Sequence, residues 1–301
     1  MKNTVYLILC IIVFAVILSA GCTQNAPAPA SVPAATMAPI TPPVSADTVK
    51  TASTPLGTVL TDAKGMTLYF FADDIAGNGK STCYGGCAKF WPIFTTASPV
   101  VSPPLVASDF TVITRTDGTK QTSYKGWPLY YFSKDVNAGD TKGENIQKNW
   151  SVAKPDYSVM YAHQPAVGTY LTDGSGRTLY FLATENPGEV ACTGTCLTNW
   201  PAFSSGSLVA PSLLKAADFS GTVRPDGARQ SLYMGRLLYY FVKDTKPGDV
   251  NGEGVLKVWH VANITGYVPP VPAPVATTIP TTIPTIDYGS SGDSSGGGGG
   301  Y

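Results

Sequence analysis

The chain has 301 residues, 20 basic and 20 acidic, for a formal net charge of zero. With 13% charged residues and no like-charge run, charge points neither to nucleic acid nor to a strongly acidic partner. Plentiful Gly (31), Pro (25) and aromatic residues (11%) suit an all-β protein with many turns.

The N-terminal segment has the form of a targeting signal. Lys2 supplies a positive start and 5–18 is an unbroken apolar stretch. That stretch is shorter than the about 20 residues a membrane span needs. It ends in "LSAGC", where small residues stand directly before Cys22. This arrangement resembles a lipobox, which implies diacylation of Cys22 after removal of 1–21. Two acyl chains give stable anchoring where one does not. An ordinary signal peptide, or an uncleaved anchor beside a chance cysteine, is the alternative. The next run, 22–54, is rich in Ala, Pro, Thr and Ser and reads as an extended stalk. The other end, 268–301, is a Pro/Thr and then Gly/Ser tail and reads as disordered.

Between these flanks the chain repeats itself. "LTDAKGMTLYF" at 60–70 returns as "LTDGSGRTLYF" at 171–181, and "CYGGCAKFWP" as "CTGTCLTNWP". Cys83 corresponds to Cys192, Trp91 to Trp200, Asp109 to Asp218 and Trp150 to Trp259. A tandem duplication follows, with copies at 55–160 and 161–267. Each copy halves again, more weakly, into strand, glycine turn, aromatic strand, acidic turn and Trp-bearing strand. Gly65, Gly126, Gly176 and Gly235 fall where a hairpin needs positive φ. The expected fold is all-β: two tandem homologous copies, each of two antiparallel meander half-units. A single four-bladed, propeller-like assembly is the rival.

The aromatic strands "LYFFADD", "LYYFSKD", "LYFLATE" and "LYYFVKD" are apolar on both faces, as covered central strands are. Their tyrosine hydroxyls need partners if buried, and the strand-end carboxylate or a backbone carbonyl can serve. That carboxylate can also bond its own downstream backbone in an Asx turn. Trp91, Trp150, Trp200 and Trp259 read as packing residues; a sugar-stacking row is the alternative. Cys83 with Cys87 and Cys192 with Cys196 read as local disulfides of an exported protein. A redox pair, lacking C-x-x-C spacing and an intervening basic residue, is the weaker reading. Ala88 and Leu197 stand where haem attachment needs histidine, and His163 and His260 do not recur as a zinc site would need. Asp135, Asp140 and Glu144, matched by Asp244, Asp249 and Glu253, form a weak calcium candidate against a solvated turn. The spacing is not an EF-hand, since Asp140 and Asp249 occupy its glycine position. Asn149 and Asn263 head glycosylation sequons.

Tyr69-x-Phe71-x-x-Asp74, Tyr130-x-Phe132-x-x-Asp135 and Tyr239-x-Phe241-x-x-Asp244 resemble the Y-x-[FWY]-x-x-D motif of prokaryotic secreted-repeat lipoproteins of unknown function. Tyr180 keeps the motif's first position, while Leu182 and Glu185 depart from it. The resemblance implies an exported address and no activity.

No catalytic constellation emerges: there is no G-x-S-x-G, H-E-x-x-H or phosphate loop. The expectation is a non-enzymatic, lipid-anchored protein on the outer face of the cytoplasmic membrane or envelope. It would present its repeats for binding or envelope structure. It needs no cofactor, touches the membrane through its anchor, takes a surface glycan or envelope protein as partner, and binds no nucleic acid. A calcium- or redox-linked accessory protein and an extracellular glycan hydrolase are the competing functions. The hydrolase needs two carboxylates facing each other across a cleft.

Overall fold

Short runs of β-branched and aromatic residues, punctuated by Gly, Asp and Pro, give short strands. The computed structural model describes residues 48–96 and 98–265, and these carry fifteen strands and two short α-helices. Cys22, the signal segment and the 268–301 tail lie outside the described residues.

In the first copy, β1 (Thr48–Thr54) and β2 (Gly57–Thr61) form a hairpin, with Thr54 opposite Gly57. Next come β3 (Tyr69–Phe71), α1 (Gly86–Phe90) and β4 (Val100–Val101), which runs parallel to β1. Then β5 (Phe110–Thr114), β6 (Lys120–Tyr124) and β7 (Trp127–Pro128) make a three-stranded meander, and β8 (Trp150–Val152) closes the copy. The second copy repeats the order: β9 (Val159–Gln164), β10 (Gly168–Asp173), β11 (Tyr180–Leu182), α2 (Thr195–Asn199), β12 (Phe219–Val223), β13 (Arg229–Tyr233), β14 (Arg236–Leu237) and β15 (Trp259–Val261). Only β4 has no strand counterpart. There the Val209 carbonyl accepts from the Ser158 and Val159 amides instead.

The run 22–54, read above as stalk throughout, gives up its last residues to the fold. Thr48–Thr54 is a strand, and Val49 within it is fully buried. Thr and Ser serve strands as well as spacers, so composition alone does not place this boundary.

Each sheet is small, of two or three strands, and there is no closed barrel among the described residues. The four turn glycines predicted at the hairpins all have positive φ, from 78° to 85°.

The two halves of each copy interlock about a local twofold. The motif strand of one half pairs with the Trp strand of the other. Thus β3 pairs with β8, with Phe71 opposite Trp150, while the Tyr131 amide donates to the Pro92 carbonyl at 2.7 Å. The two motif strands also meet each other. Tyr69 N–H donates to Tyr130 O at 2.8 Å and Tyr130 N–H to Tyr69 O at 3.1 Å. The second copy repeats this at Tyr180 and Tyr239, at 2.8 and 2.9 Å.

One apolar cluster runs through both copies, from Val49, Leu60, Trp127 and Leu129 to Tyr180, Trp200 and Trp259. Polar ties cross the seam as well. Trp127 Nε1 donates to Gly174 O at 3.2 Å and the His163 amide to Ala72 O at 2.8 Å. The copies therefore share an interior and do not stand as separate beads.

Candidate functional site

The repeated phrase builds a reciprocal lock. The Tyr69 hydroxyl donates to Asp135 Oδ2 at 2.6 Å, and the Tyr130 hydroxyl donates to Asp74 Oδ2 at 2.7 Å. Each tyrosine thus reaches the carboxylate of the other motif. The second copy does the same, with Tyr180 on Asp244 and Tyr239 on Glu185, both at 2.7 Å. The spacing has a physical cause. Because the strands pair antiparallel at the tyrosines, each ring lies alongside the far end of its partner strand. A turn then returns the carboxylate toward that ring: Asp74 N–H donates to Phe71 O at 3.1 Å and Asp135 N–H to Phe132 O at 3.0 Å.

The carboxylates do not form the Asx turns considered from sequence. Asp135 Oδ1 accepts from the Lys142 amide at 3.0 Å, seven residues on. Asp74 Oδ1 accepts from both the amide and the hydroxyl of Thr82, each at 2.7 Å. Each motif thereby pins the loop that follows it.

Beneath each lock lies a column of rings. In the first copy Phe132, Trp91, Trp150 and Phe71 stack in that order, with centroid spacings of 4.4, 3.6 and 4.2 Å. Tyr69 and Tyr130 stand edge-on to Trp91 and Trp150 at 5.4 and 5.1 Å. The second copy keeps Phe241, Trp200 and Trp259 at 4.2 and 3.8 Å, but Leu182 replaces the last ring. All four tryptophans are at most 5% exposed, so none offers a sugar-stacking face. The loop glycine seals the column. A Cβ on Gly143 would lie 2.8 Å from atoms of both Tyr69 and Trp91, and Gly252 is as tightly held against Tyr180.

Both C-x-x-x-C pairs are disulfide-bonded, and the second cysteine of each, Cys87 and Cys196, lies in the short helices α1 and α2. Two buried arginines hold these loops. Arg115 Nη2 donates to Cys83 O at 2.5 Å and Nη1 to Gln121 Oε1 at 2.8 Å. Arg224 Nη2 reaches Cys192 O at 2.5 Å, and its Nη1 reaches Gln230. Sequence reasoning missed this pair. The signal was present in the recurring "R-x-D-G" followed by Gln121 and Gln230.

The calcium candidates do not converge. Asp135 serves its lock, and Asp140 Oδ2 accepts from the Val136 and Asn137 amides at 2.9 and 3.0 Å. Glu144 Oε2 accepts from the Val152 amide at 2.6 Å, and its Oε1 takes the Ser212 hydroxyl at 2.5 Å across the seam. Asp244, Asp249 and Glu253 are dispersed in the same way, on Tyr180, the Thr245 and Lys246 amides, and Val261. Among the described residues no group of three or more His, Cys, Asp or Glu side chains is placed to hold a metal. His163 faces Asp73 at 3.0 Å and His260 faces Glu253 at 2.8 Å. Asn149 and Asn263 are both half-buried.

Burial raises the lock tyrosines Tyr69, Tyr130, Tyr180 and Tyr239 well above the ordinary phenol range, so they are donors at any physiological pH. Burial also pushes Asp74 up to about 6, against the hydrogen bonds from Tyr130 and Thr82 and the charge of Arg115. Asp135 and Asp244 are raised for the same reason. Asp140 goes the other way, to about 2, held down by Lys142 and two backbone amides.

A groove of about 550 Å³ lies on the β12–β13 hairpin, away from the locks. Ser204, Ser220, Gly221, Arg229 and Ser231 line it with Phe219, and its lining contains no Asp or Glu. It is therefore not the two-carboxylate cleft that glycoside hydrolysis requires.

A family model described as a secreted repeat of unknown function matches the chain three times, at 50–95, 111–154 and 221–263. No curated protein and no solved structure matches the chain. Each family match covers one half-unit, the two halves of the first copy and the latter half of the second. The remaining half-unit is the one that carries Leu182 and Glu185. The secreted-repeat family model thus matches three of the four interlocking half-units of this chain.

Proposed function

We propose that this chain is anchored by lipid at Cys22 and displays its repeats outside the cell as a non-enzymatic binding or envelope protein. The run after Cys22 serves as its spacer. The observation that carries this reading is where the motif's reactive groups go. Every motif tyrosine donates to a motif carboxylate, and the neighbouring loop acids clamp backbone amides. These carboxylates and phenols are engaged in holding the scaffold. The family's description as secreted agrees with display outside the cell.

Mass spectrometry of the mature N-terminus, with fractionation of a Cys22→Ser variant, tests the anchor. The wild type should yield an acylated Cys22 and sediment with membranes, and the variant should be released. An unmodified Cys22, or a variant that still sediments with membranes, would refute anchoring at this residue.

A further inference from the structure

The duplication supplies an internal control, because every position of the groove in the second copy has a counterpart in the first. In the first copy the polar groups on that face are tied to neighbours. Lys120 Nζ donates to Thr114 Oγ1 at 2.5 Å, Thr111 and Ser123 bond through their hydroxyls at 2.7 Å, and Thr95 Oγ1 donates to Lys120 O at 2.6 Å. In the second copy the first two ties are undone by substitution, and the third is not made although Ser204 keeps the hydroxyl. Arg229 replaces Lys120, but Val223 replaces its acceptor Thr114. Ser220 replaces Thr111, but Leu232 replaces its partner Ser123. Ser204 replaces Thr95, and the hydroxyls of Ser204 and Ser220 make no side-chain bond among the described residues. Arg229 is likewise exposed, without an ion pair there.

Gly221 stands where the first copy has Val112. It lies in the edge strand β12 with no positive φ. A Cβ there would meet only Gln230 O, at 3.8 Å. Neither backbone conformation nor crowding requires a glycine here. A glycine inside a strand without such a cause marks a place where something approaches the backbone. The groove's volume lies within the roughly 300–1,000 Å³ of small-molecule sites.

We propose that this groove binds an anionic oligosaccharide. Arg229 takes its carboxylate or sulfate, the freed serine hydroxyls and the β12 backbone bond its hydroxyls, and Phe219 lies under a ring face. A guanidinium is the planar fork that suits such an anion. The lining favours a sugar over an added peptide strand, because β-strand addition uses pockets for alternate side chains. Here the walls are mostly hydroxyls and backbone. The inference names a ligand class for the binding role proposed above. Anchoring is read by fractionation and the groove by titration, so each can fail alone.

The test is calorimetric titration of the purified full chain. The probes are carboxylated and sulfated oligosaccharides of two to four sugars, the methyl-esterified form of each carboxylated one, and an aspartate-rich peptide. At least one anionic sugar should bind below about 1 mM, within the usual span of ligand affinities. Neutralising its carboxylates, or introducing Arg229→Ala, should weaken binding about tenfold or more, as loss of a charge-assisted bond does. Gly221→Val, which copies Val112, should block the groove, while Lys120→Ala in the first copy should change nothing. Thermal melts confirm that these exposed variants are folded. The proposal is overturned if no anionic sugar binds, if Arg229→Ala and Gly221→Val both leave binding intact, or if the peptide binds more tightly than every sugar.

Discussion

The two copies hold the same lock with different parts. In the first, four rings stack without a break, and both oxygens of Asp74 are bonded, Oδ2 to Tyr130 and Oδ1 twice to Thr82. In the second, Leu182 ends the column. All three bonds to the Glu185 carboxylate, from Tyr239, Ala191 and Cys192, fall on Oε1, and Oε2 is buried without a partner. Yet the tyrosine–carboxylate distance is 2.7 Å in both. The backbone pairing of the two tyrosines therefore sets the geometry, and the carboxylate adapts to it. Its longer Glu arm goes with a shorter loop. Nine positions separate Asp74 from Cys83, but seven separate Glu185 from Cys192.

The ring column gives the largest expected effect. Removing Trp150 takes away two stacked neighbours and an edge-on tyrosine from a site 1% exposed. Trp150→Ala should cost about 3–5 kcal/mol in urea denaturation, the usual range for a buried Trp. Trp259→Ala should cost about 0.5–1.5 kcal/mol less, because no ring stands where Phe71 stands in the first copy. Equal losses would mean that the fourth ring contributes nothing.

Much of this architecture was legible in the residues. The aromatic runs, the glycine turns and the matched strings point directly to strands, hairpins and an internal repeat. The exchange between motifs was not legible, because the phrase Tyr-x-Phe-x-x-Asp reads as one local unit. Only the antiparallel pairing at Tyr69 and Tyr130 shows that each carboxylate belongs to the other tyrosine. The helices α1 and α2 were hidden for a different reason. Five residues with neither an apolar face nor a capping side chain leave no periodic signal, and tertiary bonds such as Arg115 to Cys83 hold the segment. The stalk boundary failed at β1, where Thr and Ser mask a strand. The groove is written in the sequence only as differences between copies, at Val112 and Gly221 or Thr114 and Val223.

The lock carboxylate Asp74 and the loop acid Asp140 answer to pH in opposite directions. Asp74 titrates near 3.8 unfolded and about 6 folded, chiefly because it is buried. Between these values the folded state binds more protons than the unfolded state, so this group's contribution falls as pH rises from about 4 to 6. The loss expected from Asp74 alone is on the order of 2–3 kcal/mol. Asp74→Asn keeps an acceptor for Thr82 and offers Tyr130 a donor, and it should flatten that part of the stability–pH curve. Lys142 and backbone amides hold Asp140 low, so it acts in the opposite direction at more acidic pH. A variant whose stability follows the wild-type slope between pH 4 and 6 would remove Asp74 as its source.

The smallest effect tests the comparison most directly. Position 191 is Ala where the first copy has Thr82, and it is exposed, so a larger side chain has room. Glu185 has lost the hydroxyl that Thr82 gives Asp74, and its Oε2 is the buried atom left without a donor. Ala191→Thr should return a hydroxyl to that carboxylate and stabilise the chain by about 0.5–1.5 kcal/mol, the net worth of one hydrogen bond. Thr82→Ala should cost a similar amount in the first copy. If Ala191→Thr is neutral while Thr82→Ala is costly, the shorter loop has already moved Glu185 beyond the reach of position 191. Satisfaction of its second oxygen would then have to come from elsewhere in the buried network around Arg224 and Tyr239.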